Sequence, residues 1–352
     1  MFSAMPWLLL DTTFDGPPLV IQSDGVPKAW VSAQRASKDL WPGLRPEEQM
    51  KVLAAAASTG RSGDVNTFRV PSGALVAVVP VLGPHDAVCG VSVGVAAEGE
   101  ELGAPPAASG YVFDANRRMF HAGEKVVEAM GGRELVDRNG ITFPEVLRYI
   151  HVPDAFGMMT AVLNVGNLDK WSGAATIEIG GRAVHLWTSM SRRSTAVDRW
   201  TGVIHVVRDD QHPSPSFDAA ALSAVTALQD RHPMCVLDLH KARLMMWMTD
   251  PPPGIQWKGT VDDRDTPHPD DVVRIFQAVQ SIFVEGRERA EVTGVRLRRV
   301  EGGWTVVDCT GSVVRQGGAP VLAFIEMVIA GESFDPDPTE SPEHTSPVGS
   351  PE

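Results

Sequence analysis

The chain has 352 residues, of which 43% are hydrophobic, and a formal net charge of −13. That length suits two or three domains rather than one, each with enough apolar residues for its own core. The acidic balance excludes general binding to nucleic acid or to an anionic membrane, and no apolar run nears the roughly 20 residues that a bilayer crossing needs.

Cys89, Cys235 and Cys309 each stand alone inside an apolar run, which fits buried thiols in a reducing cytosol better than disulfides or a metal knuckle. Trp7–Leu10 is too short for a secretory leader and has no basic flank, so a cytoplasmic location is expected.

From the N-terminus, Pro6–Thr13 is predicted as a strand, with shorter ones at Leu19–Gln22 and Trp30–Val31. Arg45-Pro46-Glu47-Glu48 opens a helix through Ala57, because proline fits a first turn and acids suit its positive end. Gly60–Gly63 is expected to end it. Val65–Val70, Ala74–Leu82 and Val88–Ala96 follow as strands, and the last two are apolar at nearly every position, which calls for cover on both faces. Gly90-Val91-Ser92-Val93-Gly94 imitates a nucleotide loop, but no helix follows and no lysine is present, so its glycines read as points of close packing. This closing hairpin resembles that of a GAF domain. Glu98–Ser109 is rich in acid, Gly, Pro and Ala, and the first domain is placed at 1–102 with a linker at 103–109.

The second block, 110–210, opens with a hairpin (Tyr111–Asp114 and Arg118–Ala122). Short helices at Glu124–Met130 and Phe143–Ile150 precede strands at Trp171–Ile179, Ala183–Ser191 and Trp200–Val207. Residues 211–232 supply a proline loop and a connecting helix at Ser216–Asp230, whose Phe217, Ala221, Leu222, Val225 and Leu228 share a face. In the third block, 233–330, Met234–Leu239 and Arg243–Met248 form a hairpin. His268-Pro269-Asp270-Asp271 starts a helix that Asp270 or Asp271 is expected to cap, and Gly286 stops it. Val272, Val273, Ile275, Phe276, Val279, Ile282 and Phe283 give that helix one apolar face. Glu291–Val300 and Trp304–Val314 turn at Gly302-Gly303, and Ala319–Met327 closes the block. The acidic, Pro/Ser-rich tail at 331–352 is expected to be disordered.

Blocks two and three read as a diverged internal repeat. His151-x-Pro153-Asp154 lines up with the His268 motif at an offset of about 117 residues. Gly180-Gly181 lines up with Gly302-Gly303, Trp187 falls near Trp304, and Ile204–Val207 falls near Phe324–Met327. Both blocks resemble PAS domains in the order and spacing of these features. The fold expected is α+β, with three separately cored sheets flanked by helices. The order GAF-like, PAS-like, PAS-like with no effector domain resembles an actinobacterial family of sensor-only proteins. That resemblance implies a non-catalytic cytosolic sensor or scaffold that acts on a separate signalling effector, with a homodimer left open.

Gly-x-x-x-x-Gly-Lys-Ser/Thr, His-Glu-x-x-His and Cys-x-x-Cys are absent, and Gly90-Val91-Ser92-Val93-Gly94, which has the Gly-x-Ser-x-Gly spacing, is not followed by the helix that a nucleophile elbow requires. No cofactor or metal is predicted, and the histidine motifs read first as turns and caps. A small apolar ligand is the open alternative. The flat and soft side chains Met234, Met246, Phe276, Phe283, Trp304 and Phe324 in block three could line its pocket, as could Phe156, His185, Trp187 and His205 in block two. Arg296, Arg298 and Arg299 form a basic strand face that could dock an acidic partner. A pure interaction scaffold, or an enzyme with a site assembled from scattered residues, would use the same composition.

Overall fold

The computed structural model describes residues 7–13, 16–131, 135, 138, 140–163, 168–192, 198–207, 232–258, 266–314 and 321–336. The helix expected at Ser216–Asp230 and the tail from 337 onward lie outside the described residues. The chain divides into two compact units, Met1–Val225 and Thr226–Glu352. Every strand pairing in both units is antiparallel.

The first sheet is built from β1 (Trp7–Asp11), β2 (Leu19–Ser23), β3 (Val26–Ser32), β4 (Asn66–Arg69), β5 (Leu75–Leu82) and β6 (Val88–Ala96). Its order is β3-β2-β1-β6-β5-β4. Helices α1 (Ala33–Leu40) and α2 (Pro46–Ser62) cover one face, where Trp41, Leu44, Val52 and Ala56 pack on Leu8, Leu10, Val78, Val91 and Val93. The alternate residues Leu9, Ile21, Val81 and Cys89 point to the other face. All five residues of β1 are therefore buried, as an apolar strand covered on both sides should be.

Helix α1 was not expected from the sequence: its apolar stripe is only Ala33, Ala36 and Leu40, of which Ala33 alone is fully buried. Helix α2 runs past Gly60 and stops at Gly63, which takes φ +77° and donates its N–H to the Thr59 carbonyl. Gly60 is there for proximity instead: a Cβ on it would sit 2.8 Å from Thr12. Gly94 likewise faces the Trp7 ring, with an added Cβ only 2.7 Å from it. Gly94→Val should cost about 1–3 kcal/mol through forced displacement of that ring, read as a lower denaturant midpoint at unchanged m-value.

The second sheet comprises β7 (Ala108–Asp114), β8 (Met119–Ala122), β9 (Ile141–Thr142), β10 (Ile150–His151), β11 (Lys170–Ile179), β12 (Arg182–Arg192) and β13 (Arg199–Val206). Their order is β10-β11-β12-β13-β7-β8-β9. Strand β7 thus starts two residues inside the segment expected as linker. Helices α3 (Glu124–Gly131), α4 (Phe143–Tyr149) and α5 (Ala155–Val162) belong to this sheet. Register and side-chain alternation divide its residues cleanly. Tyr111, Phe113, Leu186, Ile204 and Val206 share the helix-covered face, where Phe113 meets Phe143 of α4 with ring centroids 5.0 Å apart.

Gly110, Val203, His205 and Ser191 point the opposite way, at the first sheet. Val203 joins the Leu9–Ile21–Val81–Cys89 cluster. Gly110 lets the layers close, since a Cβ there would lie 2.5 Å from that of Cys89. Buried Asp11 accepts hydrogen bonds from Ser191 Oγ (2.8 Å) and Trp30 Nε1 (3.0 Å). The first two sheets therefore share a core, where three separate cores were expected.

In the second unit, β14 (Met234–Asp238), β15 (Arg243–Trp247), β16 (Arg289–Arg298), β17 (Trp304–Val314) and β18 (Leu322–Ser333) form a sheet ordered β15-β14-β18-β17-β16. Its core is Cys235, Trp247, Ile255, Val295, Leu297, Val307 and Met327, and helix α6 (Pro269–Glu285) packs beside β16. The cap of α6 is His268 rather than Asp270 or Asp271: its Nδ1 accepts from the Asp270 N–H at 3.2 Å. A bulge interrupts β16 between Val292 and Val295. There Gly294 takes φ +65° and its N–H donates to Asp308 at 2.7 Å. The chain stays ordered past Gly331, where a tail was expected: β18 reaches Ser333, and Asp335 bonds back to the sheet.

The strand order is common to all three sheets. In each, the first strand lies centrally between the second and the last, and the last is followed outward by the preceding two. The helix-linked repeat is less regular in its motifs. His151 is exposed on β10, and the cap of α5 is Asp154, which accepts from Gly157 N–H at 3.1 Å. Gly180-Gly181 and Gly302-Gly303 do occupy equivalent hairpins, but Trp304 starts β17 whereas Trp187 lies in the middle of β12.

Candidate functional site

The residues that matter most in the first unit lie at alternate positions on two hairpin arms. Gly180 and Gly181, at φ +58° and +77°, turn β11 into β12 so that Ile177 and Val184 pair across the strands and point to the helix-covered face. Leu186 and Ile204 continue that face, with Phe120 and Ala122 on β8. Opposite them stand Val126 and Val127 of α3, with Leu135, Ile141 and Ile150. Together these side chains line one part of a half-open cavity whose whole volume is about 970 Å³.

The cavity continues round the end of β13 into the space between the two sheets, where Val79, Val81 and Ser92 of the first sheet face Ala108 and His205. Its rim is formed by exposed His85, Asp86, Pro105 and Ala107. The volume is that of a site for a drug-sized molecule, and the lining is mainly apolar, with few polar groups, as such sites generally are.

Those polar groups are constrained. Arg138 is committed to Glu145 through two parallel hydrogen bonds of 2.9 and 2.8 Å. Burial works against the Glu145 charge, yet the donors of Arg138 and Thr142 outweigh it and hold the carboxyl below its usual range. Desolvation pushes the His121 imidazole down. His205 is 1% exposed, and burial pushes its pKa down to about 4. Its folded pKa thus lies below the ordinary 6.5, so the folded chain binds fewer protons than the unfolded one between those values. This group's contribution to stability is whole above about pH 6.5 and falls as pH drops toward 4. Burial also raises the Cys89 thiol to about 12, which leaves no reactive thiolate near the layer contact.

Of the side chains expected to line a pocket, only His205 borders this cavity. Trp304 is 2% exposed, edge-on to His268 at 4.8 Å, and donates Nε1–H to the Asp335 carbonyl. Phe276 and Phe283 are each 39% exposed on α6 and are not core residues. The helix turns Val279 and Ile282 inward instead. Met234, Met246 and Phe324 are half-buried around the third sheet, and Phe156, His185 and Trp187 are half-buried in the first unit, all away from the cavity. Val184, Leu186, Ile177 and Ile204 escaped attention because aliphatic strand residues read as ordinary core. Their one sequence signal is the period of two on either side of Gly180-Gly181.

The three arginines have internal work. Arg296 donates to Asp271 through Nε at 2.8 Å and through its backbone N–H at 2.9 Å, and to Asp335 at 2.8 Å. Arg298 lies over the Trp304 ring at 4.7 Å, and Arg299 pairs with Glu332. Among the described residues no group of three His, Cys, Asp or Glu side chains converges as a metal site, and no helix is long and apolar enough to cross a membrane.

Comparison with known proteins places the fold. The crystal structure of an uncharacterized protein from Mycobacterium tuberculosis superposes with a TM-score of 0.72 at 16% identity, covering 93% of this chain and 96% of that one. An RNA-binding light-oxygen-voltage receptor (TM-score 0.25, 12% identity, 64% of this chain and 96% of that one) is too distant to carry an argument. So is the DhaR(N)–DhaL complex of E. coli (TM-score 0.20, 9% identity, 60% and 80%). No curated protein matches the sequence. Two family models do: the Rv3651-like N-terminal model over residues 6–106, and the Rv3651-like C-terminal domain over 225–327. Together they span more than half of the sequence and leave between them the block that supplies most of the cavity wall; the chain belongs to the Rv3651-like family.

Proposed function

We propose that this protein is a non-catalytic cytoplasmic sensor that admits a small, mainly apolar molecule to the cavity of its first unit and passes that event to a separate effector protein. The observation that carries the reading is the cavity of about 970 Å³ bounded by β8, β11, β12, β13 and α3. A half-open, mainly apolar space of that size fits the admission of a drug-sized molecule. The strand order common to the three sheets supports reading them as GAF-like, PAS-like and PAS-like modules. The shifted ionisable groups favour sensing over catalysis. Among the described residues Glu145 is held by Arg138 and Thr142, Asp271 by Arg296 and Arg274, and His205 is buried between the sheets.

Native mass spectrometry of the full chain purified from its own host tests this. A retained small molecule, released on unfolding, is the expected result. Val184→Trp, which places an indole in the cavity, should reduce retention at least tenfold at unchanged thermal stability. Bare protein in repeated preparations would reverse the reading in favour of a scaffold. That second reading draws on the exposed apolar residues Val273, Phe276, Phe283 and Val284 along α6.

A further inference from the structure

Helix α6 is apolar on two sides. Val279 and Ile282 are buried against the sheet. On the outer side Val273, Phe276, Gln280 and Phe283 succeed one another at intervals of three, four and three, and Val284 lies one turn beyond Gln280. Val273 is 57% and Val284 76% exposed. Arg274 leaves this row clear of charge, because it is drawn aside to Asp271 and to the Thr293 and Gly294 carbonyls. A helix with apolar residues on opposite sides is suited to cover on both, and a contiguous exposed apolar row marks a contact surface.

The two ends of the row indicate what covers it. Asp270 stands exposed at the N-terminal end, with His268 Nδ1 3.6 Å and Arg296 Nη2 3.7 Å away. Arg287 stands exposed just past the C-terminal end, beside Glu285. The row therefore ends in an acid on one side and a base on the other, and its complement is the same helix run the other way. About the middle of the row, an antiparallel copy sets Val273 against the partner's Val284 and Asp270 against the partner's Arg287. Phe276 then falls between the partner's Gln280 and Phe283. The helix dipoles also oppose in that arrangement, whereas a parallel pair would stack Asp270 on Asp270.

We infer that the outer row of α6 is a homodimer contact, in which two copies of the chain pair this helix antiparallel about a two-fold axis and Asp270 and Arg287 close each end. The contact is isologous, so every apolar residue and both end charges are used twice. A single helix pair belongs among interfaces smaller than about 1,200 Å², so the dimer is reversible, with a micromolar dissociation constant. The inference stands apart from the cavity, which lies in the other unit.

Sedimentation velocity of the full chain over a concentration series tests it. A reversible monomer–dimer transition is the expected result. Val284→Glu, at a position too exposed to threaten folding, should weaken association at least about tenfold by burying an unpaired charge. Asp270→Arg and Arg287→Glu should each weaken it several-fold, and the two together should restore it. Orientation is read by crosslinking. An oxidised mixture of Val273→Cys and Val284→Cys chains should yield disulfide-linked pairs of unlike chains, with neither variant linking to itself above the level of the unaltered chain. A chain monomeric at every concentration, a dimer indifferent to Val284→Glu, a double reversal that associates no better than either single one, or Val284→Cys linked to itself would each overturn the inference. A monomer that takes up phosphatidylcholine vesicles, and loses that uptake with Val284→Glu, would overturn it in favour of a membrane surface.

Discussion

Asp271→Ala is expected to destabilise the second unit by about 3 kcal/mol, the lower edge of the range for stripping one partner from a buried ion pair. The lower edge applies because the Arg296 side chain keeps 19% of its exposure while that of Asp271 keeps 2%. Asp271 sits in the first turn of α6 and accepts from four donors: the Arg296 backbone N–H (2.9 Å), Arg296 Nε (2.8 Å), Arg296 Nη2 (3.3 Å) and Arg274 Nη1 (3.0 Å). Its loss would leave the Arg296 guanidinium with only its outer partners and detach the start of the helix from β16. Burial opposes the Asp271 charge, but the Arg296 and Arg274 donors outweigh it and hold the carboxyl below its ordinary 3.8. A lowered folded pKa contributes stability that is present above the unfolded value and lost as pH falls through the folded one. The gap between parent and variant should therefore be full at neutral pH and narrow steadily below about pH 4. Urea midpoints measured between pH 3 and 7 would show it. A gap that is constant with pH would mean that packing, not charge, ties the helix down.

Trp200→Ala is expected to cost about 3–5 kcal/mol, the usual effect of emptying a fully buried indole site. Trp200 is 0% exposed near the start of β13, on the helix-covered face, with Arg192 over its ring at 5.5 Å. Its indole N–H makes no hydrogen bond, so all of its contribution is volume and contact. Trp200→Phe should accordingly lose less than half as much as the alanine variant. Both are read by guanidinium unfolding followed by circular dichroism. Equal losses in the two variants would point instead to a hydrogen bond made by the indole.

Much of the fold was legible in the sequence because strands declare themselves. Alternating or continuous β-branched runs punctuated by Gly-Gly located nearly every long strand, and the like spacing of blocks two and three anticipated their like strand orders. Helix α1 was not legible, since its stripe of Ala33, Ala36 and Leu40 is too short to stand out and the helix is held by the sheet beneath it. The identity of the α6 cap was hidden for a different reason. Three residues of the His268-Pro269-Asp270-Asp271 run can accept a first-turn N–H, and only the tertiary demand of Arg296 for Asp271 decides among them.

The site was legible least. Aromatic and methionine side chains suggest pocket linings, yet here Trp304 is buried, Phe276 and Phe283 are exposed, and the open volume lies beneath plain Ile, Leu and Val at alternate strand positions. A cavity is a property of how two layers fail to meet, and no window of sequence encodes that. The partner of His205 is Gln22, whose separation of 183 positions puts it beyond any local motif.

The interruption of β16 at Gly294 bears on how copies of this protein can meet. β16 is the outermost strand of its sheet, where a run of free amides and carbonyls would invite a foreign strand to join. At the kink the Gly294 amide is turned onto Asp308, and the Thr293 and Gly294 carbonyls are capped by Arg274. Toward the end of the strand the Arg296 and Arg298 main-chain groups are already taken by His268, Thr266 and Gln256, and at its start Arg289 and Glu291 set charge on the margin. Strand-by-strand recruitment into fibres is thereby blocked at this border.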